Sequence, residues 1–170
     1  MIAIRELAEA DITVIAATDG GPAWHGGGAK WRRYWREHQA GQRVAMVAER
    51  DDAIVGYGSL CWRSRYPPFA QAGTPDISDM VVGEGWRRQG IAGRLIDAFE
   101  ARAREAGHGR IGIGFGLYAD YGGAQRLYVR LGYIPDGRGV TYANAPVTPG
   151  AAVRVDDDLV LWLSKNLQAS

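Results

Sequence analysis

The stretch Arg87-Arg88-Gln89-Gly90-Ile91-Ala92-Gly93 holds the residue types and spacing best suited to chemistry. A strand-like run, Asp76 to Val82, precedes it, and Ile91, Leu95, Ile96 and Phe99 follow at helical spacing. A strand therefore ends, a turn rich in Arg and Gly follows, and an amphipathic helix begins at once. Helix N-termini present unpaired N–H groups and the positive end of the peptide dipole, so they bind phosphate. Gly90, Ala92 and Gly93 let an anion approach the backbone, and Arg87 with Arg88 adds charge-assisted hydrogen bonds. The plain alternative is a solvated basic helix cap.

Other candidates weigh less. Cys61 is the only cysteine and follows the apolar run Ile54 to Leu60, which reads as a buried, inert thiol. Three histidines, His25, His38 and His108, lie far apart and make no zinc spacing, so no metal is expected. Gly107-His108-Gly109-Arg110-Ile111-Gly112 matches a dinucleotide glycine string, yet it follows a helix and precedes a strand, the reverse of the required order. His108 reads as an exposed turn residue, and Asp156-Asp157-Asp158 as a solvated turn. The Gly26-Gly27-Gly28 run reads as a lid or a helix entry.

These groups need elements to position them. Ile2 to Leu7 alternates as a short strand, Ala8 to Ala17 reads as a helix, and positions 18 to 29 as a glycine-rich loop. From Lys30 the residues Trp31, Tyr34, Trp35 and His38 recur at helical spacing, ended by Gly41. Val44 to Ala48 and Ile54 to Leu60 flank Asp51-Asp52 as a hairpin. Ser64 to Pro75 reads as a loop. In the strand Asp76 to Val82, alternation places Ile77, Asp79 and Val81 on one face and Ser78, Met80 and Val82 on the other. The helix from about Gly90 to Ala106 pairs Glu100 with Arg104 on its wet side. Arg110 to Leu117 is a strand, and Gly122 to Leu131 a helix with Ala124, Leu127, Tyr128 and Leu131 on one face. Gly132 stands at a left-handed cap with Tyr133 as its apolar partner. Tyr133-Ile134 and Leu159 to Leu163 are strands joined by a long connection from Pro135 to Asp158. The result is one mixed α/β sheet domain over residues 1–170.

Composition bounds the function. A chain of 170 residues with formal net charge +1 is one domain's length and carries no bulk charge for nucleic acid or anionic membrane. One cysteine excludes an intrachain disulfide scaffold. No apolar run approaches the roughly 20 residues of a membrane span, and no signal-peptide pattern opens the chain; the expected compartment is the cytoplasm. Nearly all basic residues are arginine, with Lys30 and Lys165 the only lysines.

Arg87-Arg88-Gln89-Gly90-Ile91-Ala92 resembles the Q/R-x-x-G-x-G/A acyl-CoA pyrophosphate loop of the GNAT N-acyltransferase superfamily, and Ala124 to Tyr133 resembles the A-x-x-L-Y-x-x-x-G-F/Y segment of the same family. The two occur in order, each on its expected element. The resemblance implies a central mixed, splayed sheet flanked by helices, in the order β-α-α-β-β-β-α-β-α-β-β. It implies that Met80, Val81 and Val82 pair through their backbone with the pantetheine arm, and that Arg87, Arg88, Gln89, Gly90, Ile91, Ala92 and Gly93 hold the pyrophosphate. Tyr128 matches the family tyrosine that protonates, or hydrogen-bonds to, the CoA sulfur; on residue type alone it is a core tyrosine.

The implied activity is acetyl transfer from acetyl-CoA to a primary amine of a small molecule, amino acid or peptide, by direct attack in a ternary complex. The alternatives are a non-catalytic acyl-CoA-binding or regulatory module, or an enzyme acting on protein N-termini or lysines. The expected partners are acetyl-CoA and a small amine, without nucleic acid or membrane, and a homodimer is left open. The acceptor pocket would draw on Trp31, Trp35, Tyr118, Asp120 and Tyr121; for Trp31, Tyr34 and Trp35 an aromatic core is the equal alternative. Departures from the family are Tyr121 where Asn is frequent, Glu84 where many members carry proline, and Ser78 where the histone-acetylating branch has a glutamate base. Water-mediated bases left open are Asp120 and Glu84, with Tyr118 or Tyr121 orienting the water.

Overall fold

A computed structural model describes residues 1–17 and 27–167. Most of the loop expected over 18–29, including Trp24, His25 and Gly26, lies outside them. The chain divides into two compact units: Met1–Cys61 with Ser78–Phe99, and Trp62–Ile77 with Glu100–Ser170.

In the first unit β1 (Ala3–Glu6), β2 (Arg43–Arg50) and β3 (Ala53–Cys61) form an antiparallel ladder, and β4 (Asp76–Val82) lies next to β3. Asp51 and Asp52 turn the β2–β3 hairpin with φ of 51° and 62°. Both are left-handed, the geometry that matches strand twist, and aspartate tolerates it. Helices α1 (Glu9–Ala17) and α2 (Gly27–Gln39) cover this ladder. The spacing of Trp31 and Tyr34 does what an apolar stripe should: both are buried in one cluster with Leu7, Ile15, Ala45, Val47 and Tyr57. Trp31 meets Tyr57 edge-on at 4.6 Å, so the aromatic face of α2 is core.

In the second unit the first two residues of β4 pair in parallel with β5 (Arg110–Gly116), as Asp76 with Gly112 and Ile77 with Ile113. The pairing takes in no later residue of β4, which is the splay expected of this sheet. Strand β5 pairs antiparallel with β8 (Leu159–Asn166), and β8 with β6 (Ile134–Tyr142).

Three elements differ from expectation. The loop over Ser64 to Pro75 contains a helix, α3 (Pro67–Ala72), because Pro67 sits in the first turn, where its missing N–H costs nothing. Strand β6 runs on from Ile134 to Tyr142, and a turn at Ala143-Asn144 (φ 48° and 65°) returns the chain as β7 (Ala145–Pro146). The first half of the expected connection, from Pro135 to Pro146, is therefore mostly strand, and the rest is not. Finally, α4 (Ile91–Glu105) carries Glu100 and Arg104 paired at 3.1 Å, but Glu100 is buried rather than wet. Its carboxylate accepts from Tyr133 at 3.1 Å and forms an ion pair with Lys165 at 2.8 Å. An i, i+4 partner marks a surface in an isolated helix; here two further donors, Tyr133 and Lys165, replace the water.

Helix α5 (Gly122–Arg130) ends as its sequence implies. Gly132 is left-handed (φ 87°), its N–H bonds to the Val129 carbonyl, and the Tyr133 N–H reaches back to Tyr128 at 3.0 Å. In β5, Gly112 admits the ring of Phe69: a Cβ there would stand 2.1 Å from the ring. Tyr66 and Trp162 hold that ring edge-on at 5.0 and 5.6 Å, so it cannot turn aside. Gly112→Ala is expected to cost about 2 kcal/mol, lowering Tm by roughly 4–8 °C for a chain of this length. An unchanged thermal midpoint would place Phe69 elsewhere.

Candidate active site

Strand β4 ends at Val82, and Glu84–Trp86 form a single 3₁₀ turn before α4. The entry into the helix is built from left-handed backbone. Arg88 has φ of 63° and Gly90 of 78°. Arg87, Arg88, Gln89 and Gly90 are all exposed, and a Cβ at Gly90 or Gly93 would meet nothing within 4 Å. The Arg94 N–H is the first to bond back, to the Gly90 carbonyl at 3.1 Å. The N–H groups of Ile91, Ala92 and Gly93 therefore stand ahead of the helical ladder, at the positive end of α4. Ile91 itself is buried. This is room for a phosphate against backbone donors, with two guanidinium groups on the same turn.

The loop is braced from within its own unit. The Arg87 Nε donates to the Val82 carbonyl at 3.3 Å, and Gln89 donates to Gly85 at 3.3 Å. Arg50, at the end of β2, lies over the Trp86 ring at 5.0 Å and donates to Gln89 Oε1 at 3.2 Å. Arg50 was not expected at this loop; no sequence spacing links position 50 to position 89.

Strand β4 does not alternate as its sequence suggests. Asp79 has φ of 51°. A Cβ on Gly58 would meet Phe99 and Met80, so even-numbered β3 residues face α4. On the opposite face Ser59 and Cys61 meet Ser78: Cys61 Sγ lies 3.3 Å from Ser78 Oγ, and Ser59 Oγ donates to the Ser78 carbonyl at 3.3 Å. Asp79 shares that face, where Tyr34 donates to it at 2.9 Å and Lys30 forms an ion pair with it. Ser78 and Asp79 are thus on one side, not on opposite sides, because a left-handed residue turns the strand by half a period. Cys61 is half-buried rather than buried.

Tyr128 lies on α5 in the second unit. It is buried, its ring 6.2 Å from Phe115 and 6.3 Å from Tyr133. Burial pushes its hydroxyl up to about 12, so it keeps its proton through the neutral range. Among the described residues the hydroxyl has no hydrogen-bond partner, which leaves it free to donate.

The acceptor candidates separate by unit. Trp31 is enclosed in the core of the first, and Trp35 is half-buried and stacked on His38 at 5.8 Å. In the second, the hydroxyls of Tyr118 and Tyr121 both donate to Asp157, the latter at 3.0 Å, while Asp120 is exposed between them in sequence. The acidic run is therefore an acceptor for tyrosines rather than only a solvated turn; Asp156 likewise accepts from Tyr142 at 3.0 Å. His108 is half-buried and stacked on Trp62 at 5.5 Å, where an exposed turn residue was expected. Glu84 is exposed. Among the described residues no cluster of three or more His, Cys, Asp and Glu could hold a metal, and no helix is long and apolar enough to cross a membrane.

The model of the acetyltransferase (GNAT) family matches residues 9–133, well over half of the chain and inclusive of both the Arg87–Gly93 loop and Tyr128. The chain belongs to the GNAT acetyltransferase family. Solved structures agree on the fold. An N-acetyltransferase from Staphylococcus aureus Mu50 superposes with TM-score 0.71 at 16% identity, covering 99% of each chain. A ribosomal-protein-alanine N-acetyltransferase from Brucella melitensis gives 0.69 at 18%, covering 96% of this chain and 99% of its own. A Salmonella typhimurium protein described as an acetyltransferase and solved with its cofactor acetyl-CoA gives 0.69 at 17%, covering 100% of this chain and 96% of its own. No curated protein matches the chain in sequence.

Proposed function

We propose that the chain, acting over residues 1–170 as one domain, transfers an acetyl group from acetyl-CoA to a primary amine of a small molecule, amino acid or peptide. The observation that carries this reading is the open mouth of α4, where Arg87, Arg88 and three ladder-free N–H groups border unfilled space. A pyrophosphate fits that donor set: it needs several N–H donors and compensating positive charge, and both are present. Arg87 to Gly93 would hold it, and the backbone of Met80, Val81 and Val82 would pair with the pantetheine arm as an added strand does.

Acetyl-CoA supplies, when bound, the thioester that an amine attacks directly. Tyr128, protonated and buried, donates its proton to the departing sulfur. The nitrogen–carbon bond would form as the carbon–sulfur bond breaks, the amine's own proton would pass to water, and the Tyr128 oxygen would take a proton back from water before the next turnover. Trp35, Tyr118, Asp120 and Tyr121 are the residues we assign to the acceptor side. The cytoplasm is the setting we propose, with acetyl-CoA and a small amine as partners.

A second reading is a non-catalytic acyl-CoA-binding module. Ser78 favours it, since its hydroxyl contacts only Ser59 and Cys61 among the described residues and offers no carboxylate base. Calorimetric titration tests the shared premise: CoA is expected to bind at least about 100-fold more tightly than pantetheine, which lacks the pyrophosphate. Equal affinities would remove the loop from the site. Turnover of acetyl-CoA in the presence of amines then separates enzyme from module.

A further inference from the structure

A positive φ inside a strand is uncommon for any residue but glycine, and Asp79 adopts 51° in the middle of β4. Aspartate enters this region more readily than most residues because its short side chain can bond to the nearby backbone. Here the carboxylate bonds to a different element. Lys30 on α2 forms an ion pair with it, and Tyr34, one helical turn further on, donates to it at 2.9 Å. The Lys30 ammonium lies 5.1, 5.4 and 5.9 Å from the rings of Tyr57, Tyr34 and Trp31, and donates to the Tyr57 hydroxyl at 3.2 Å. Its side chain is 13% exposed, so the pair is far less screened than one on the surface. Burial, and then Asp79, raise Tyr34 to about 12, which keeps it a donor across the neutral range. Lys30 is one of only two lysines in the chain.

The turn at Asp79 sets which way the next three residues of β4 face. Met80 faces Gly58 and Phe99, Val81 packs on the cluster under α2, and Val82 lies toward Gly56, where a Cβ would also meet Ile91. A strand in unbroken alternation from Ser78 would present each of these residues to the other face. The backbone N–H and C=O groups of Met80 to Val82 turn with the side chains.

We propose that Asp79 is a positioning residue: its carboxylate, tied to Lys30 and Tyr34 of α2, fixes a left-handed backbone turn that sets the Met80–Val82 backbone for the pantetheine arm of an acyl-CoA. This role rests on the acyl-CoA reading above. It gives α2 a direct hold on the strand that receives the cosubstrate.

The test is a CoA titration by calorimetry, with amide hydrogen exchange at Met80 to Val82, on wild type, Asp79→Asn, Asp79→Ala and Lys30→Met. Asparagine keeps the tolerance of positive φ and an acceptor for Tyr34, so Asp79→Asn is expected to bind CoA within about threefold of wild type. Alanine keeps neither; Asp79→Ala is expected to weaken CoA about tenfold and to speed exchange at the three amides. Lys30→Met removes one end of the tether and is expected to fall between the two, which keeps the test decisive should the alanine variant fail to fold. Wild-type affinity and exchange in both Asp79→Ala and Lys30→Met overturn the proposal, as does an asparagine variant no better than alanine. A wild-type protein that binds no CoA overturns the acyl-CoA reading itself and this role with it, an outcome distinct from either of those.

Discussion

Gly90→Glu is expected to weaken acetyl-CoA binding by at least about 100-fold while leaving the protein folded. Two costs act together. The left-handed backbone at Gly90 (φ 78°) charges a side chain roughly 1–2 kcal/mol in strain. The new carboxylate then stands ahead of the N–H groups of Ile91, Ala92 and Gly93, where it satisfies them itself and repels a phosphate. Nothing lies within 4 Å of a Cβ at this position, so no core packing is disturbed and the thermal midpoint should fall only by the roughly 2–8 °C that the strain accounts for. Gly90→Ala is the control: it carries the strain without the charge, and should lose no more than about tenfold. Binding of acetyl-CoA to the glutamate variant at wild-type affinity would exclude this helix mouth as the pyrophosphate site.

Tyr128→Phe is expected to lower kcat about 100-fold, the low end for loss of a positioned general acid, with acetyl-CoA affinity within about twofold of wild type. Phenylalanine fills the same ring space beside Phe115 and Tyr133, and the lost hydroxyl has no partner among the described residues. Stability should therefore be unchanged or slightly higher, which separates a chemical role from a packing role. The pH dependence comes from the same burial. The folded hydroxyl titrates near 12 against an ordinary value of 10.0, so folding favours the neutral form. The stability this contributes is present below about pH 10 and is lost as pH rises from 10 toward 12. In kinetics, wild-type kcat should show no loss of the acid below about pH 10. An alkaline fall between pH 8 and 9 that disappears in the phenylalanine variant would contradict the assignment of a tyrosine raised this far.

Much of this site was legible because local rules and tertiary structure agree along it. Asp76 to Val82 and Gly122 to Arg130 fall where periodicity puts them, and Gly132 caps its helix with the backbone bonds its position implies. The Arg87–Gly93 turn reads from sequence since its residues act through backbone and charge, not through distant partners. What could not be read depends on groups far apart in the chain. Glu100 carries an exposed-helix signature, but Lys165 and Tyr133 convert its place into a buried one. Asp79 looks like an ordinary alternating strand residue until Lys30 and Tyr34 hold its carboxylate and the strand turns. Pro67-Pro68 suggests a breaker, whereas proline in a first turn starts a helix when a residue such as Phe69 has a core to enter. In β6, the glycines at 137 and 139 hide a strand whose Val140, Thr141 and Tyr142 pair with β8. Arg50 reaches the loop through Trp86 and Gln89 with no trace in local sequence.

The central claim is acetyl transfer to an amine, and one assay meets it directly: free CoA thiol and acetylated product quantified together, with acetyl-CoA and a panel of small amines, amino acids and N-terminal peptides. Amine-dependent thiol release matched mole for mole by N-acetylated product is expected for at least one acceptor class, and both are expected to be lost with Gly90→Glu. Tight CoA binding with no acetylated product from any acceptor in the panel would contradict that claim.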